Sequence, residues 1–205
     1  MRPAPLAPAA LLAVTALLAT PLAAQNVPAL YDLAAPGPEV TVRAAPSGDA
    51  EALGAFGSDI TLVEVVALSA EGDWGQVNLG EGSGWVEMAA LELRGVHIDN
   101  YNLPDSLFCM GTEPFWSVSN INGALHYDTP DMPGADLAIW IAQDSGIAED
   151  LRRMVQFAGI GGPGVAFLYP AQCSDGMSDR AYGLAISLMT APGAPLLSGC
   201  CTLNR

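Results

Sequence analysis

Short stretches in which apolar and polar residues alternate divide the first half of the chain, and turn residues separate each stretch from the next. Such segments are typical of β-strands, in which successive side chains point to opposite faces. The predicted strands span residues 40–42, 53–56, 60–66, 74–79 and 84–86. No segment between residues 40 and 93 has the spacing of a long helix, so we expect a small all-β barrel there.

The second half has the same alternation, with one exception. Predicted strands span residues 115–118, 123–127, 137–141, 165–169, 182–189 and 196–203, and a turn at 191–195 joins the last two as a hairpin. In residues 147–155, however, apolar side chains recur at the spacing of one helical face, at Ile147, Leu151, Met154 and Val155. We therefore expect a mainly β protein whose second part is a β-barrel or curled antiparallel sheet with one short helix.

Residues 1–24 have the pattern of an export signal. Arg2 precedes an apolar run at 9–18, and the small residues Ala23 and Ala24 follow it. The run is shorter than the roughly 20 apolar residues that cross a bilayer. Gln25 would begin the mature chain, so lipid attachment to an N-terminal cysteine is not indicated. We expect the protein in the periplasm or outside the cell.

Charge narrows the possible partners. The chain has 22 acidic and 7 basic residues, a formal net charge of −15, and none of the basic residues is lysine. Such a surface repels phosphate backbones and anionic lipid headgroups, so we expect neither nucleic acid nor direct anionic membrane binding. A cationic or amine-bearing partner is compatible with it.

The distribution of cysteine divides the chain. All 4 cysteines follow a polar stretch at residues 97–104, and the segment before that stretch has none. The predicted organisation is a signal at 1–24, a first domain at 29–96, a linker at 97–104 and a cysteine-containing β domain at 105–205.

Several spaced features of the first domain agree with one known family. Val-Thr-Val-Arg at 40–43, Trp-x-x-Val at 74–77 and Gly-Trp-Val at 84–86 resemble the bacterial Src-homology-3-like module. Secreted and envelope proteins use that module for docking. The resemblance covers about residues 29–94 and implies a small barrel that binds cell wall peptide or an envelope protein.

The two tryptophans of this domain differ in their surroundings. Trp74 follows the polar turn Glu-Gly-Asp at 71–73, so we take it as the candidate exposed platform for a ligand. A tryptophan in a small barrel is more often part of the core, with its indole N–H bonded at the edge, and we expect that of Trp85.

The second domain resembles a family of uncharacterised bacterial envelope proteins. The resemblance rests on Cys-Met-Gly-Thr-Glu-Pro-Phe-Trp at 109–116, Cys-Ser-Asp-Gly-Met-Ser-Asp-Arg at 173–180 and Gly-Cys at 199–200. It implies an envelope location and a common fold, and it brings no known reaction.

Four cysteines in an exported protein are expected to form two disulfides. Because neighbours in a strand point to opposite faces, Cys200 and Cys201 should reach different partners. The choice of partner comes from the resemblance. Cys173 and Cys200 both lie in the family strings and are expected to pair, which leaves Cys109 for Cys201.

The polar string of the second motif is the one candidate for a chemical site. Glu113, Asp175, Ser178, Asp179 and Arg180 could hold a calcium ion or act as acid and base. The same residues suit a tight structural loop. Asp175-Gly176 would make its turn, Asp179 would cap backbone amides, and Arg180 would pair with Glu113. We favour the structural interpretation and expect no metal or other cofactor.

Three functions are compatible with these features. The first is docking in the cell envelope through the Src-homology-3-like module. The second is a periplasmic carrier that holds a small ligand inside the C-terminal barrel. The third, an enzyme, has the least support, because the chain has no nucleophile elbow, no catalytic Cys-His pair and no zinc signature. A filled barrel would favour docking, and an apolar cavity inside it would favour the carrier.

Overall fold

The computed structural model describes residues 27–34, 39–57 and 59–204, and β-strands are the main regular structure there. The predicted export signal at 1–24 lies outside these ranges. The strands are β1 Ala29–Leu33, β2 Val40–Arg43, β3 Ala52–Phe56, β4 Val63–Val65, β5 Ala67–Leu68, β6 Trp74–Leu79, β7 Gly82–Glu87, β8 Leu91–Leu93, β9 Phe108–Thr112, β10 Phe115–Ile121, β11 Ala124–Thr129, β12 Met132–Asp144, β13 Arg153–Gly159, β14 Gly162–Cys173, β15 Tyr182–Met189 and β16 Leu197–Thr202. A short 3-10 helix spans Met88–Ala90. No helix in the described ranges is long and apolar enough to cross a membrane.

Strands β9 to β16 form a closed antiparallel barrel. Each strand pairs with its neighbour in sequence, and β16 pairs with β9 to complete the circle. The predicted hairpin joins β15 and β16, where the Ala194 N–H donates to the Ala191 carbonyl at 3.0 Å. The prediction of a mainly β fold with a barrel is confirmed, although the sequence did not reveal β9 or β13 as strands.

Large apolar side chains fill the interior of the barrel. Val118, Leu125, Phe157, Leu184 and Leu188 are at most 2% exposed and belong to one packed cluster. The interior of an eight-stranded barrel is just wide enough either to be filled by side chains or to hold one small ligand. In this barrel the side chains take that space.

Two smaller antiparallel sheets form the N-terminal unit, residues 27–96. Their strand orders are β3-β2-β7-β6-β5 and β4-β1-β8. Between them lies a second apolar cluster, which includes Tyr31, Val42, Val65, Val77 and Val86. The strands predicted at 40–42, 53–56, 74–79 and 84–86 are present. Strand β1, which was not predicted, lies between β4 and β8.

The sheet β4-β1-β8 is a wall shared by two cores. Ala29 and Tyr31 belong to the N-terminal cluster, whereas Leu30 between them belongs to the barrel cluster. Alternate residues of one strand point to opposite faces, so one strand serves both cores. Glu64, on β4, lies opposite Leu30 of β1. The Glu64 side chain also contacts the barrel.

The segment predicted as a linker, residues 97–104, is a hydrogen-bonded loop against one end of the barrel. The Asp99 carboxylate accepts the N–H of Tyr101 at 2.8 Å and that of Leu103 at 3.0 Å. It also accepts the side-chain amide of Asn120, on β10, at 2.7 Å. Leu103 is fully buried in the barrel cluster. The loop is therefore attached to the barrel and is not a free linker.

The helix predicted over residues 147–155 is wrong. Residues 147–152 form a loop, and β13 begins at Arg153. From Arg153 to Phe157 every second residue is buried, which is the periodicity of a strand. Strand β13 pairs with both β12 and β14, so its backbone groups find partners in neighbouring strands instead of within a helix.

Candidate functional site

The two tryptophans of the N-terminal unit are placed opposite to expectation. Trp74 is 8% exposed, whereas Trp85 is half-buried and is not part of the core. On β7 the side chain of Val86 is fully buried, so its neighbour Trp85 points to the other face. The prediction that Trp74 is an exposed platform is wrong, as is the prediction that Trp85 lies in the core.

The acidic loop between β14 and β15 is organised by Asp175. Its carboxylate accepts the N–H groups of Met177 at 3.0 Å and Ser178 at 2.9 Å. It also accepts the hydroxyls of Ser178 at 2.8 Å and Tyr182 at 3.1 Å. Burial acts to raise the pKa of Asp175, but these hydrogen bonds outweigh it and lower the pKa to about 2. The carboxylate is thus engaged in holding the loop.

Two other roles in this loop differ from the prediction. Asp175, not Asp179, caps the backbone amides, and Asp179 donates its own N–H to the Glu81 carbonyl at 3.0 Å. Among the described residues no ion pair joins Arg180 to Glu113, which is exposed in the turn between β9 and β10. The Arg180 guanidinium lies over the Tyr182 ring, 5.8 Å from its centroid. Asp175 has the capping role because Gly176, at φ 70°, turns the chain back toward its carboxylate.

The three motif strings meet in the barrel wall and support one another. Disulfides join Cys109 to Cys201 and Cys173 to Cys200, so both predicted pairings are confirmed. A Cβ on Gly111 would lie 2.2 Å from Trp116 Nε1. A Cβ on Gly199 would lie 2.8 Å from Trp116 Cζ2, so both positions need glycine to accommodate the indole ring. These contacts give the strings a structural role. The disulfides indicate a non-reducing, extracytoplasmic setting.

A groove lies between the N-terminal unit and the loop that joins β12 to β13. We call it the inter-unit groove, and its volume is about 910 Å³. Binding pockets commonly measure roughly 300 to 1,000 Å³ and occur preferentially between domains. The lining residues from the N-terminal side are Pro28, Ala29, Tyr31, Met88, Leu91, Leu93, Gly95, Val96 and Ile98, and those from the barrel side are Asp144, Gly146, Ile147, Ala148, Glu149, Asp150, Leu151 and Arg153.

Carboxylates dominate the charged part of the groove. Hydrogen bonds from the Asn102 amide and the Gly146 N–H lower the pKa of Asp144. Glu149 is exposed, and its carboxylate has no hydrogen bond or ion pair within the described ranges. The guanidinium of Arg153 is engaged by the carbonyls of Asn102 at 2.6 Å, Asp150 at 2.6 Å and Arg152 at 2.8 Å.

A buried carboxylate lies where the N-terminal unit meets the barrel. Glu64 is 7% exposed; its carboxylate accepts the Thr202 hydroxyl and, at 3.1 Å, the Leu203 N–H. Burial raises the pKa of Glu64 to about 7, against the opposing hydrogen bonds from Thr202, Leu203 and Asn204 and the positive charge of Arg180. Glu64 is therefore the strongly perturbed group of the interface.

Sequence reasoning missed both Glu64 and the groove. A signal for Glu64 was available, since it is the one charged residue in the apolar run at 62–66. A charge inside a strand that is buried on both faces needs a specific partner. For the groove no such signal existed, because the residues that line it are far apart in sequence. In addition, eight of its seventeen lining residues lie in the segment wrongly predicted as a helix or just before it.

The potential metal ligands and the two histidines of the described ranges do not form a cluster. No three His, Cys, Asp or Glu side chains lie together there as metal ligands. His126 Nδ1 lies 2.6 Å from Asp136 Oδ1 on the outside of the barrel, and His97 Nδ1 lies 3.0 Å from Asp105 Oδ2. Each histidine thus has one carboxylate partner.

No protein-family model matches this chain, and no curated protein and no solved structure matches it. The class that the fold itself defines is an antiparallel eight-stranded barrel, with two disulfides, joined to a smaller N-terminal pair of sheets.

Proposed function

We propose that this protein is exported to the periplasm or the cell exterior and works there by docking on cell wall peptide or on another envelope protein. The N-terminal unit, with its resemblance to the Src-homology-3-like module, provides the docking surface. The disulfide-linked barrel supports that surface. Catalysis has no part in this proposal.

One observation carries the proposal: the barrel is filled, and the open apolar surface lies outside it. Val118, Phe157 and Leu188 take up the space that a carrier would need inside the barrel. The inter-unit groove instead has an exposed apolar side chain on each of its two sides, Leu93 and Ile147, and each is 60% exposed. Exposed apolar patches on soluble proteins commonly mark binding surfaces.

The placement of the acidic loop favours docking over an enzymatic role. Asp175 would be the natural acid or base, but four hydrogen bonds from its own loop and from Tyr182 engage its carboxylate. A general base needs free access to the proton that it removes.

The test uses the mature chain, residues 25–205. The immobilised protein is incubated with solubilised envelope proteins, and the soluble protein is sedimented with purified cell wall. We expect retention by at least one of the two. Leu93→Ser should reduce the retention, whereas Phe167→Ser, which removes an apolar side chain 50% exposed on the outside of the barrel, should not. If neither wall nor any envelope protein is retained, the docking proposal is wrong.

A further inference from the structure

We infer that the inter-unit groove binds an extended segment of an envelope protein in which apolar side chains flank a lysine or arginine. This inference rests on the proposed docking function and specifies its partner. It joins three properties of the groove: its apolar lining, its excess of carboxylates and the open edge of a strand that lines it.

The apolar lining calls for apolar side chains in the partner. Leu93 on the N-terminal side and Ile147 on the barrel side are each 60% exposed, so both have apolar surface that a partner can cover. Tyr31, Leu91 and Leu151 also line the groove but are already buried. Each apolar side chain that leaves water on binding contributes in proportion to its buried area. The volume of about 910 Å³ accommodates several side chains together.

The charges of the groove call for a cation next to those side chains. Asp144, Glu149 and Asp150 line it, and Arg153 is the one cation among its described lining residues. Arg152 forms an ion pair with Asp150 at 2.7 Å, and Asp144 accepts hydrogen bonds from Asn102 and Gly146. Among the described lining residues, Glu149 is the carboxylate left to pair with a partner. An acidic segment would be repelled both here and by the net charge of −15 on the whole chain.

The architecture of the sheet favours an extended chain over a compact ligand. Strand β8, which contributes Leu91 and Leu93 to the groove, pairs with β1 on one side and is the edge of its sheet. An open strand edge offers backbone N–H and C=O groups to an added strand, and alternate side chains of that strand then occupy neighbouring pockets. A second copy of this chain is disfavoured, because two equally acidic surfaces repel one another.

The test selects the partner chemistry without assuming a sequence. A phage-displayed library of random dodecapeptides is panned on the immobilised mature protein. We expect the enriched peptides to combine apolar residues with at least one lysine or arginine. A synthetic fluorescent copy of an enriched peptide should bind more weakly as salt rises. A second copy with its basic residues changed to glutamate should not bind.

Matched variants then locate the binding. Glu149→Gln should weaken peptide affinity about two- to fivefold, as expected for one exposed charge. Leu93→Ser should weaken it further. Glu113→Gln removes an exposed carboxylate from the turn between β9 and β10, outside the groove, and should leave the affinity unchanged. Because Glu149 and Leu93 are exposed, both variants should fold, which near-ultraviolet circular dichroism checks.

The outcomes separate this inference from the docking proposal. Enrichment of acidic or uncharged peptides would overturn the inference even if envelope proteins are still retained. The same holds if the Glu149→Gln and Leu93→Ser variants bind the peptide as tightly as the original protein. A dimer in sedimentation velocity that Leu93→Ser dissociates would also overturn it, since a second copy would then occupy the groove. Loss of all retention in the wall and envelope experiments would instead refute docking itself.

Discussion

The barrel and the N-terminal unit are both antiparallel β-structures, but they differ in how their strands end. The barrel closes on itself through β16 and β9, and two disulfides join its strands. The N-terminal unit has no cysteine and two open sheets, with edges at β3, β5, β4 and β8. An open edge can pair with an added strand, whereas closure of a barrel removes its edges.

The carboxylates with large pKa shifts in the barrel and at the interface also differ, because their pKa values move in opposite directions. Asp175, in the barrel, is held by many donors, and its pKa is lowered to about 2. Glu64, at the interface between the units, is dominated by burial, and its pKa is raised to about 7. Opposite pKa shifts predict opposite pH dependences of stability for the two regions.

The largest expected effect is the loss of the disulfide that closes the barrel. The Cys109–Cys201 bridge spans 92 residues and the Cys173–Cys200 bridge spans 27. In the chain-entropy model, removing them lowers the free energy of unfolding by about 4.6 and about 3.6 kcal/mol, respectively. Urea unfolding of the two paired Cys→Ala variants measures the difference. Equal losses, or a larger loss for the Cys173–Cys200 pair, would contradict the view that closure of the barrel dominates its stability.

The next effect concerns Glu64. Because its pKa is raised in the folded state, the folded protein binds more protons than the unfolded one between about pH 4.5 and 7. The contribution of Glu64 to stability is therefore greatest below pH 4.5 and falls as pH rises to 7, by about 3 kcal/mol in total. Glu64→Gln should remove this dependence and stabilise the protein at pH 8.

Denaturant unfolding at several pH values measures this change. Glu113→Gln serves as the control, because Glu113 is exposed and its variant should follow the original pH profile. If Glu64→Gln destabilises the protein at pH 8, the ionised carboxylate is a favourable partner for Thr202 and Arg180. The statement that burial dominates the energetics of Glu64 would then be wrong.

The smallest effect concerns Asp175, whose contribution to stability changes with pH in the direction opposite to that of Glu64. Its pKa is lowered in the folded state, so its contribution is present above about pH 4 and is lost as pH falls toward 2. Asp175→Asn should cost about 1 to 2 kcal/mol at pH 7 and less at pH 2, after allowance for partial exposure. Thermal unfolding at the two pH values provides the measurement. A loss that is equal at pH 7 and pH 2 would show that the charge of Asp175 has no part in holding the loop.

Much of the strand pattern could be predicted because it is local. Strands such as β6 and β15 alternate apolar and polar residues or carry continuous apolar runs between turn residues, and both signals lie within a few neighbouring positions. The different partners of Cys200 and Cys201 followed from strand geometry, because adjacent side chains point apart. The loop role of Asp175-Gly176 was likewise visible, since turn chemistry involves residues two or three positions apart.

What the sequence by itself determined was therefore the β class, most strands and the structural character of the motif strings. Tertiary structure decided the rest. Residues 147–155 have apolar spacing that fits a helix, but strands on both sides provide the hydrogen bonds of β13. Glu64 acquires its raised pKa only when the last barrel strand covers β4. The inter-unit groove has Leu93 on one side and Ile147 on the other, and these residues are distant in sequence. No local sequence pattern indicates that two such distant residues line one groove.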